Sequence, residues 1–579
     1  MGFSGTDAGG FKWEGFQSGA PNQPQPPQEP KQPKQPKPRK PIGKPATRVL
    51  INLLVTLLFA AVYFYLELPA INLKDPAFYT FALLLCVVYC VCAIVTSGFQ
   101  AQGLKEYFAF LKKQCTVPFF LAVALVAVSL VGSIVGSVIF RADAYSELLP
   151  FDTGDFTEDV DEISYDQIPM LDRASAERLG DRKLGELSDM VSQFEVMDNY
   201  TQINYQGRPV RIANLMYADL IKWFTNRSEG LPAYLIVDMV NQSVELVRLN
   251  EGIKYTTAEH FGRNLYRYLR FNYPTYMFAT PVMEVDEEGT PYWICPREVR
   301  TIGLFGGRDI QGAVLVNAIT GESSYYEEAP AWVDNLYNAE LIMEQYDYYG
   351  MYHNGFINSI FGQKDVTVTT DGYNYIAMGD DVYVYTGITS VGGDQSNIGF
   401  ILTNQRTKET TYYSGAGATE YSAMDSAEGE LQNLRYKATF PLLLNVGGQP
   451  TYFMAMKDDA QLVKKYAMVN VRQYQIVATG DTVAQCEKNY LEMLAQNGIS
   501  AGTALSGTET VQGTVADIRT AVLEGNSWYY IRLEGNDAYF VISAADSQLA
   551  VILSPGDRVS ITYLPGEGSI LSAVDLQLG

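Results

Sequence analysis

Histidine is nearly missing from this chain: His260 and His353 are the only two in 579 residues. A zinc centre of the usual Cys/His spacing therefore cannot be assembled, and no metal or other cofactor is expected. Cysteine is almost as scarce. Cys86, Cys90, Cys92 and Cys115 lie in or beside long apolar runs, leaving only Cys295 and Cys486 elsewhere. That is no disulfide framework, although one bridge between those two stays open. The signatures of common hydrolases and nucleotide-binding proteins are missing as well: no G-x-S-x-G, S-x-x-K, H-E-x-x-H or Walker loop occurs. FGGRD at 305–309 is too short to cradle phosphate. Cys295, His260 and Arg297 can be drawn as thiolate, base and oxyanion helper. Yet Cys295 ends a strand-like YWIC before Pro296, the setting of a half-buried structural cysteine. Carboxylates are many, but nothing singles out a glycosidase pair. No catalytic, cofactor-binding or metal-ligating residue is assigned.

Positive charge is the next shortage, with 42 lysines and arginines against 65 carboxylates. Its distribution is uneven: residues 1–140 hold 12 basic and 6 acidic side chains, leaving 30 against 59 beyond. Such an acidic remainder repels phosphate backbones and excludes nucleic acid as a partner. The N-terminal part is set apart by three apolar runs, 47–68, 77–99 and 117–140. Each has the ~20 residues a helix needs to cross the bilayer, and none carries a charge at its centre. The first run stands behind a long polar tail, which predicts an anchor and not a cleaved leader. Lys31, Lys34, Lys37, Arg39, Lys40, Lys44 and Arg48 precede the first run, and Lys105, Lys112 and Lys113 lie between the second and third. The intervening loop offers only Lys74. The positive-inside rule then places the N-terminus and second loop in the cytoplasm, and residues 141–579 outside it. This is the pattern of a multi-pass protein of the cell membrane.

The chain divides into a proline-rich basic tail (1–46), the three spans (47–140), an acidic linker (141–173), an α+β repeat region (174–500) and a small β-barrel (508–579). The tail reads as a solvated tether in extended polyproline form. In the linker, Asp152, Asp155, Glu158, Asp159, Asp161, Glu162 and Asp166 miss the spacing of a calcium loop and read as a solvated spacer lifting the body off the membrane. Residues 174–196 have helical spacing, YTQINYQGRPVRIANL turns as a hairpin at Gln206-Gly207, and Thr256-x-x-Glu259 opens a helix to 271 as a capping box.

One segment recurs. GAVLVNAITGESSYY (312–326) aligns without a gap on GFILTNQRTKETTYY (399–413), with Gly312/Gly399, Leu315/Leu402, Asn317/Asn404, Thr320/Thr407, Glu322/Glu409, Tyr325/Tyr412 and Tyr326/Tyr413 identical. YLIVDMVNQSVELV and residues 452–480 read as further copies. Each unit should be three or four antiparallel strands with a helix across one face. Asn317 and Asn404 are placed to close Asx turns, a structural role. Val314, Val316, Ile401 and Thr403 should face a helix, and each tyrosine pair should send one ring inward and one out.

VNAITGESSYYEE and VDMVNQSVELV resemble the VDAxTGxV core of PepSY domains, small α+β modules of bacterial envelope proteins and peptidase propeptides. The second copy departs from that pattern by carrying Lys408 where Gly321 stands. The resemblance implies protein binding or peptidase restraint. GDRKLGELSDMVSQFEV, IKWFTNR and LYRYLRFNYPTYMF are similar to a group of uncharacterised envelope proteins of clostridia-like bacteria. The last 72 residues resemble an OB-type barrel, but Arg519, Arg532 and Arg558 against nine carboxylates make no nucleic-acid groove. The sequence therefore implies a membrane-anchored α+β protein that engages the bilayer and an envelope protein or wall polymer. The alternative is a membrane-anchored hydrolase whose site follows no familiar pattern.

Overall fold

The computed structural model describes residues 41–99, 103–162, 168–392, 396–499, 508–523, 526–544, 547–563, 565 and 569–579. Most of the proline-rich tail and Asp166 lie outside the described residues. Helices α1 (Pro45–Glu67), α2 (Pro76–Ser97), α3 (Leu104–Gln114) and α4 (Thr116–Val135) come first. Of these, α1, α2 and α4 are long and apolar enough to cross a membrane. Asp75 starts α2 by accepting from the Ala77 N–H at 2.8 Å, with Pro76 in the first turn where its missing donor costs nothing. α3 carries Lys112 and Lys113 in its last turn, beside the carbonyls that favour positive charge. The third apolar run stops short of 140: α4 ends at Gly136, and a separate helix α5 (Val138–Ser146) follows.

The acidic linker is not a solvated spacer. Strand β1 (Asp152–Gly154) pairs in parallel with Thr411–Tyr413, and helix α6 (Phe156–Asp159) buries Phe156 against Phe400 and Tyr413. The apolar residues spaced among the carboxylates, Phe151, Phe156 and Val160, explain the difference. They offer enough apolar surface to hold the segment to the body while the carboxylates face water.

Beyond helix α7 (Arg173–Gly185) the chain builds one module four times. The first comprises β2 (Phe194–Val196), β3 (Thr201–Tyr205), β4 (Arg208–Tyr217), helix α8 (Leu220–Asn226), β5 (Leu231–Asp238), β6 (Val244–Ile253) and helix α9 (Leu265–Asn272). The second has β7 (Met277–Phe278), β8 (Val282–Val285), β9 (Pro291–Ile302), β10 (Gly306–Asn317), β11 (Ser323–Tyr326) and α10 (Ala339–Tyr352). The third has β12 (Thr367–Thr369), β13 (Asn374–Met378), β14 (Asp381–Ser390), β15 (Ser396–Asn404), β16 (Thr410–Ala418) and α11 (Glu420–Glu430). The fourth has β17 (Lys437–Ala438), β18 (Leu442–Val446), β19 (Gln449–Lys457), β20 (Val463–Asn470), β21 (Val477–Gly480) and α12 (Val483–Gln496). In every copy the first two strands both pair with the third, which pairs with the fourth, which pairs with the fifth.

The turn after the fourth strand is made the same way each time. Asp238, Asn317, Asn404 and Asn470 each accept, through Oδ1, the N–H groups two and three residues on. These are Asx turns, as spacing predicted for the two asparagines. The aligned tyrosines also match: Tyr325 donates to the Gln311 carbonyl and Tyr412 to that of Ile398, each just before an aligned glycine. A Cβ on Gly312 or Gly399 would strike the Tyr326 or Tyr413 carbonyl, so no larger residue fits there. The second tyrosines differ. Tyr326 is 40% exposed, whereas Tyr413 is 5% exposed because Phe156 covers it.

A helix lies between successive sheets. Leu265 and Leu269 of α9 pack with Val314 and Val316, while Ile342 and Tyr346 of α10 pack with Val384 and Ile401. Each sheet thus turns this face to the helix of the copy before it, and sheet one does so toward α7. The expected capping-box helix begins later than 256. Asn264 caps α9 through the Arg267 N–H, and Glu259 is buried, accepting from Trp223 Nε1 at 2.7 Å and from Tyr217. Likewise only the first half of 174–196 is helical; the rest turns into β2. The chain ends in a closed barrel, β22 (Glu509–Leu523), β23 (Asn526–Leu533), β24 (Tyr539–Ser543), β25 (Arg558–Tyr563) and β26 (Ile570–Leu578), with helix α13 (Leu549–Ile552) between β24 and β25. It is tied to α12 by Lys488 and Asp575 at 2.5 Å.

A candidate ligand cavity where the four modules meet

The second strand of each of the first three modules starts at Thr201, Val282 and Asn374, and these starts surround one cavity of about 430 Å³ that Phe440, just ahead of the fourth module's second strand, helps to line. Tyr200 and Gln202 come from the first module, Val282 from the second, Tyr373 and Tyr375 from the third, and Phe440 from the approach to the fourth. The ring is closed by Lys457 of module four, whose Nζ lies 2.6 Å from both oxygens of Asp172 ahead of α7. Arg178 donates to the Ala460 carbonyl at 2.6 Å across the same junction.

Arg211 also lines the cavity and is 7% exposed. It sits on β4 opposite Val237, the residue before the Asp238 turn. Positions defined in the same way in the other copies hold Trp293, Val384 and Tyr452. The Arg211 guanidinium has one side-chain hydrogen bond, 3.2 Å to Gln202 Oε1. Among the described residues its Nε and the Gln202 Nε2 have no partner, and Arg211 joins no ion pair. Burial pulls the guanidinium down to about 10, since a cation is disfavoured away from water. Asp172 is spoken for. Burial pushes its carboxyl up, but hydrogen bonds from Lys457 and Ser175 outweigh that and hold it below its ordinary value.

Beside the cavity lies a second buried cluster. Glu284 accepts the N–H groups of Asp334 and Asn335 at 2.9 and 2.8 Å, and Asp334 accepts that of Asn204 at 2.6 Å. Burial pushes both carboxyls up, and the charge of Glu284 pushes Asp334 further.

The groups weighed in the sequence are not brought together. Cys295 is fully buried in the core shared by modules one and two, and burial pushes its thiol well above the usual range. The His260 ring stacks edge-on against Trp223 at 4.9 Å, and the Arg297 guanidinium lies 4.3 Å from the Tyr276 ring. Cys486 is buried in a different core, and both thiols are free, so the bridge left open by spacing does not form. In FGGRD, Arg308 pairs with Glu298 and Glu344, and Asp309 with Lys408. Arg211 and Gln202 went unnoticed in the sequence. The available signal was one cation inside the apolar run PVRIANL.

No family model matches the chain, and no curated protein matches it. Among solved structures it is similar to the crystal structure of Bacillus subtilis levansucrase at 8% identity, covering 74% of this chain and 99% of that one. The TM-score is 0.16, too low to carry an argument.

Proposed function

We propose that this is an integral membrane protein of the bacterial envelope whose acidic extracytoplasmic body binds an envelope component in the cavity between its four modules. The observation that carries the reading is how the body is seated. Among the described residues it touches one end only of the three long apolar helices. At the end of α1, Arg270 donates to the Leu68 carbonyl at 2.8 Å and the Arg267 guanidinium lies 4.3 Å from the Tyr65 ring. At the start of α2, Lys74 donates to the Arg300 carbonyl at 2.6 Å and Phe305 packs on Tyr79 at 5.3 Å. Near the end of α4, Gly132 and Gly136 form a small-residue groove for the β9–β10 turn. A Cβ on Gly132 would lie 2.6 Å from Leu304 Cδ2. The lysines of α3 lie toward the other end, which the positive-inside rule makes cytoplasmic.

The choice of binding over hydrolysis rests on the cavity wall. Its described residues include amides, aromatic rings and the Arg211 guanidinium, while its one carboxylate, Asp172, is held by Lys457, a set suited to holding a ligand in place. The sheet-plus-helix composition of each copy is in keeping with PepSY-like modules and hence with a protein partner. The test is a photo-crosslinking residue in place of Tyr373 in living cells. The reading expects a cross-link from the cavity to a separate envelope component. Cross-linking confined to the chain itself would count against it, more so if the purified protein cleaved an envelope substrate.

A further inference from the structure

We propose that the cavity recognises its ligand by a single carboxylate group, held between the Arg211 guanidinium and the Gln202 amide. This rests on the reading of the body as a binding protein and names the chemistry of its ligand.

A guanidinium buried without an anion is unfavourable by several kcal/mol, and natural proteins pair or coordinate such charges. Arg211 does neither. The module does not require a cation there, because the three equivalent positions hold Trp293, Val384 and Tyr452. Arg211 is therefore particular to the first copy and to the cavity it lines. Among the described residues the free groups beside it are two donors, Nε of Arg211 and Nε2 of Gln202, whose residue is 4% exposed; the Tyr200 hydroxyl and the acceptor Oε1 of Gln405 are also unpartnered in the cavity wall. Two unsatisfied donors side by side call for an oxyanion, and the planar fork of arginine matches a carboxylate edge.

Charge then fixes the valence. The neighbouring Lys457 and Asp172 neutralise each other, and Arg173 is engaged by Glu177 at 2.8 Å. One positive charge is left, which one carboxylate satisfies. A phosphate dianion would bring a second negative charge into a chain whose net charge is already −23. The rings of Tyr373, Tyr375 and Phe440 and the side chain of Val282 supply an apolar wall for the carbon skeleton carrying the group. A peptide C-terminus and a sugar acid share this chemistry.

The experiment is thermal unfolding of the detergent-solubilised full chain, titrated with sodium acetate, N-acetylglycine or glucuronate. Sodium chloride and sodium phosphate at equal ionic strength serve as controls. A carboxylate should raise Tm saturably, by about 2 °C at ten times its Kd, and the controls should not. Arg211→Met should start from a higher Tm without ligand and show no response. Arg211→Lys keeps the charge without the fork, so its half-saturation should shift upward at least tenfold. The relative response to N-acetylglycine and glucuronate separates the two ligand sources. An unchanged carboxylate response in Arg211→Met overturns the proposal. So does a stronger response to phosphate, or a lowered Tm in Arg211→Met together with an unresponsive parent. Capture of an envelope component at Tyr373 alongside any of those results would leave the binding reading standing and remove only the carboxylate.

Discussion

Gln202 and Arg211 stand directly opposite each other on β3 and β4, joined by one hydrogen bond of 3.2 Å that satisfies neither side chain fully. Removing the amide alone leaves a buried cation with no side-chain partner. Gln202→Leu should therefore cost about 1.5 to 3 kcal/mol. Adding Arg211→Met to it should recover that loss or exceed it, because replacing both members of a buried polar pair by apolar groups is often neutral or stabilising. Urea unfolding of the two variants measures the coupling. Additive losses would show that the pair is not the unit described.

The buried carboxyls of Glu284 and Asp334 give the fold a signed pH dependence. Both are pushed up in the folded state, so above about pH 4 the native protein retains protons that the unfolded chain has released. Their contribution to stability is present at acid pH and is lost as pH rises toward and past neutrality. Asp334→Asn removes the repulsion and keeps an acceptor for the Asn204 N–H. Its Tm should match the parent near pH 4 and exceed it increasingly toward pH 8. A gap that is constant or narrows with pH would contradict the assignment.

The Asx turns predict unequal responses to similar changes. Asn317→Ala leaves two turn N–H groups without their acceptor and should cost about 1 to 2 kcal/mol. Asn317→Asp should be nearly neutral, since Asp238 makes the same turn in the first copy. Equal losses from both would mean that the side-chain oxygen is not what the turn uses.

Two aligned tyrosines should part company. Tyr413→Ala opens a cavity beside Phe156 and Phe400 and should cost about 3 kcal/mol or more, whereas Tyr326→Ala should cost under about 1. Chemical denaturation of both variants checks this.

That last pair marks how far the sequence could be read. In the third copy Tyr412 and Tyr413 pack in different clusters, but neither ring faces open solvent, because the linker folds back as β1 and α6 to cover Tyr413. Long-range closure of that kind leaves no periodic trace. The apolar runs were legible because a bilayer-length run needs only local composition, but the break at Gly136 was not. The second and third copies were legible because Gly312/Gly399 and the tyrosines are fixed by backbone contact. The first and fourth share the Asx turn but not those residues, so only their topology reveals them fully. Arg211 was hidden because one cation in a strand reads as a solvated side chain. Its burial comes from the residues just ahead of α7 and from the neighbouring modules that close around the cavity.

The account depends most on the body lying outside the membrane, on the outer ends of the apolar helices. Single cysteines placed at Asn250, exposed on module one, and at Lys113, exposed on α3, test this with a membrane-impermeant maleimide on intact cells. The native cysteines serve as background in an unsubstituted control. The account predicts that Asn250→Cys is labelled at once and that Lys113→Cys is labelled only after permeabilisation. Labelling of Lys113→Cys from outside, with Asn250→Cys protected, would contradict it.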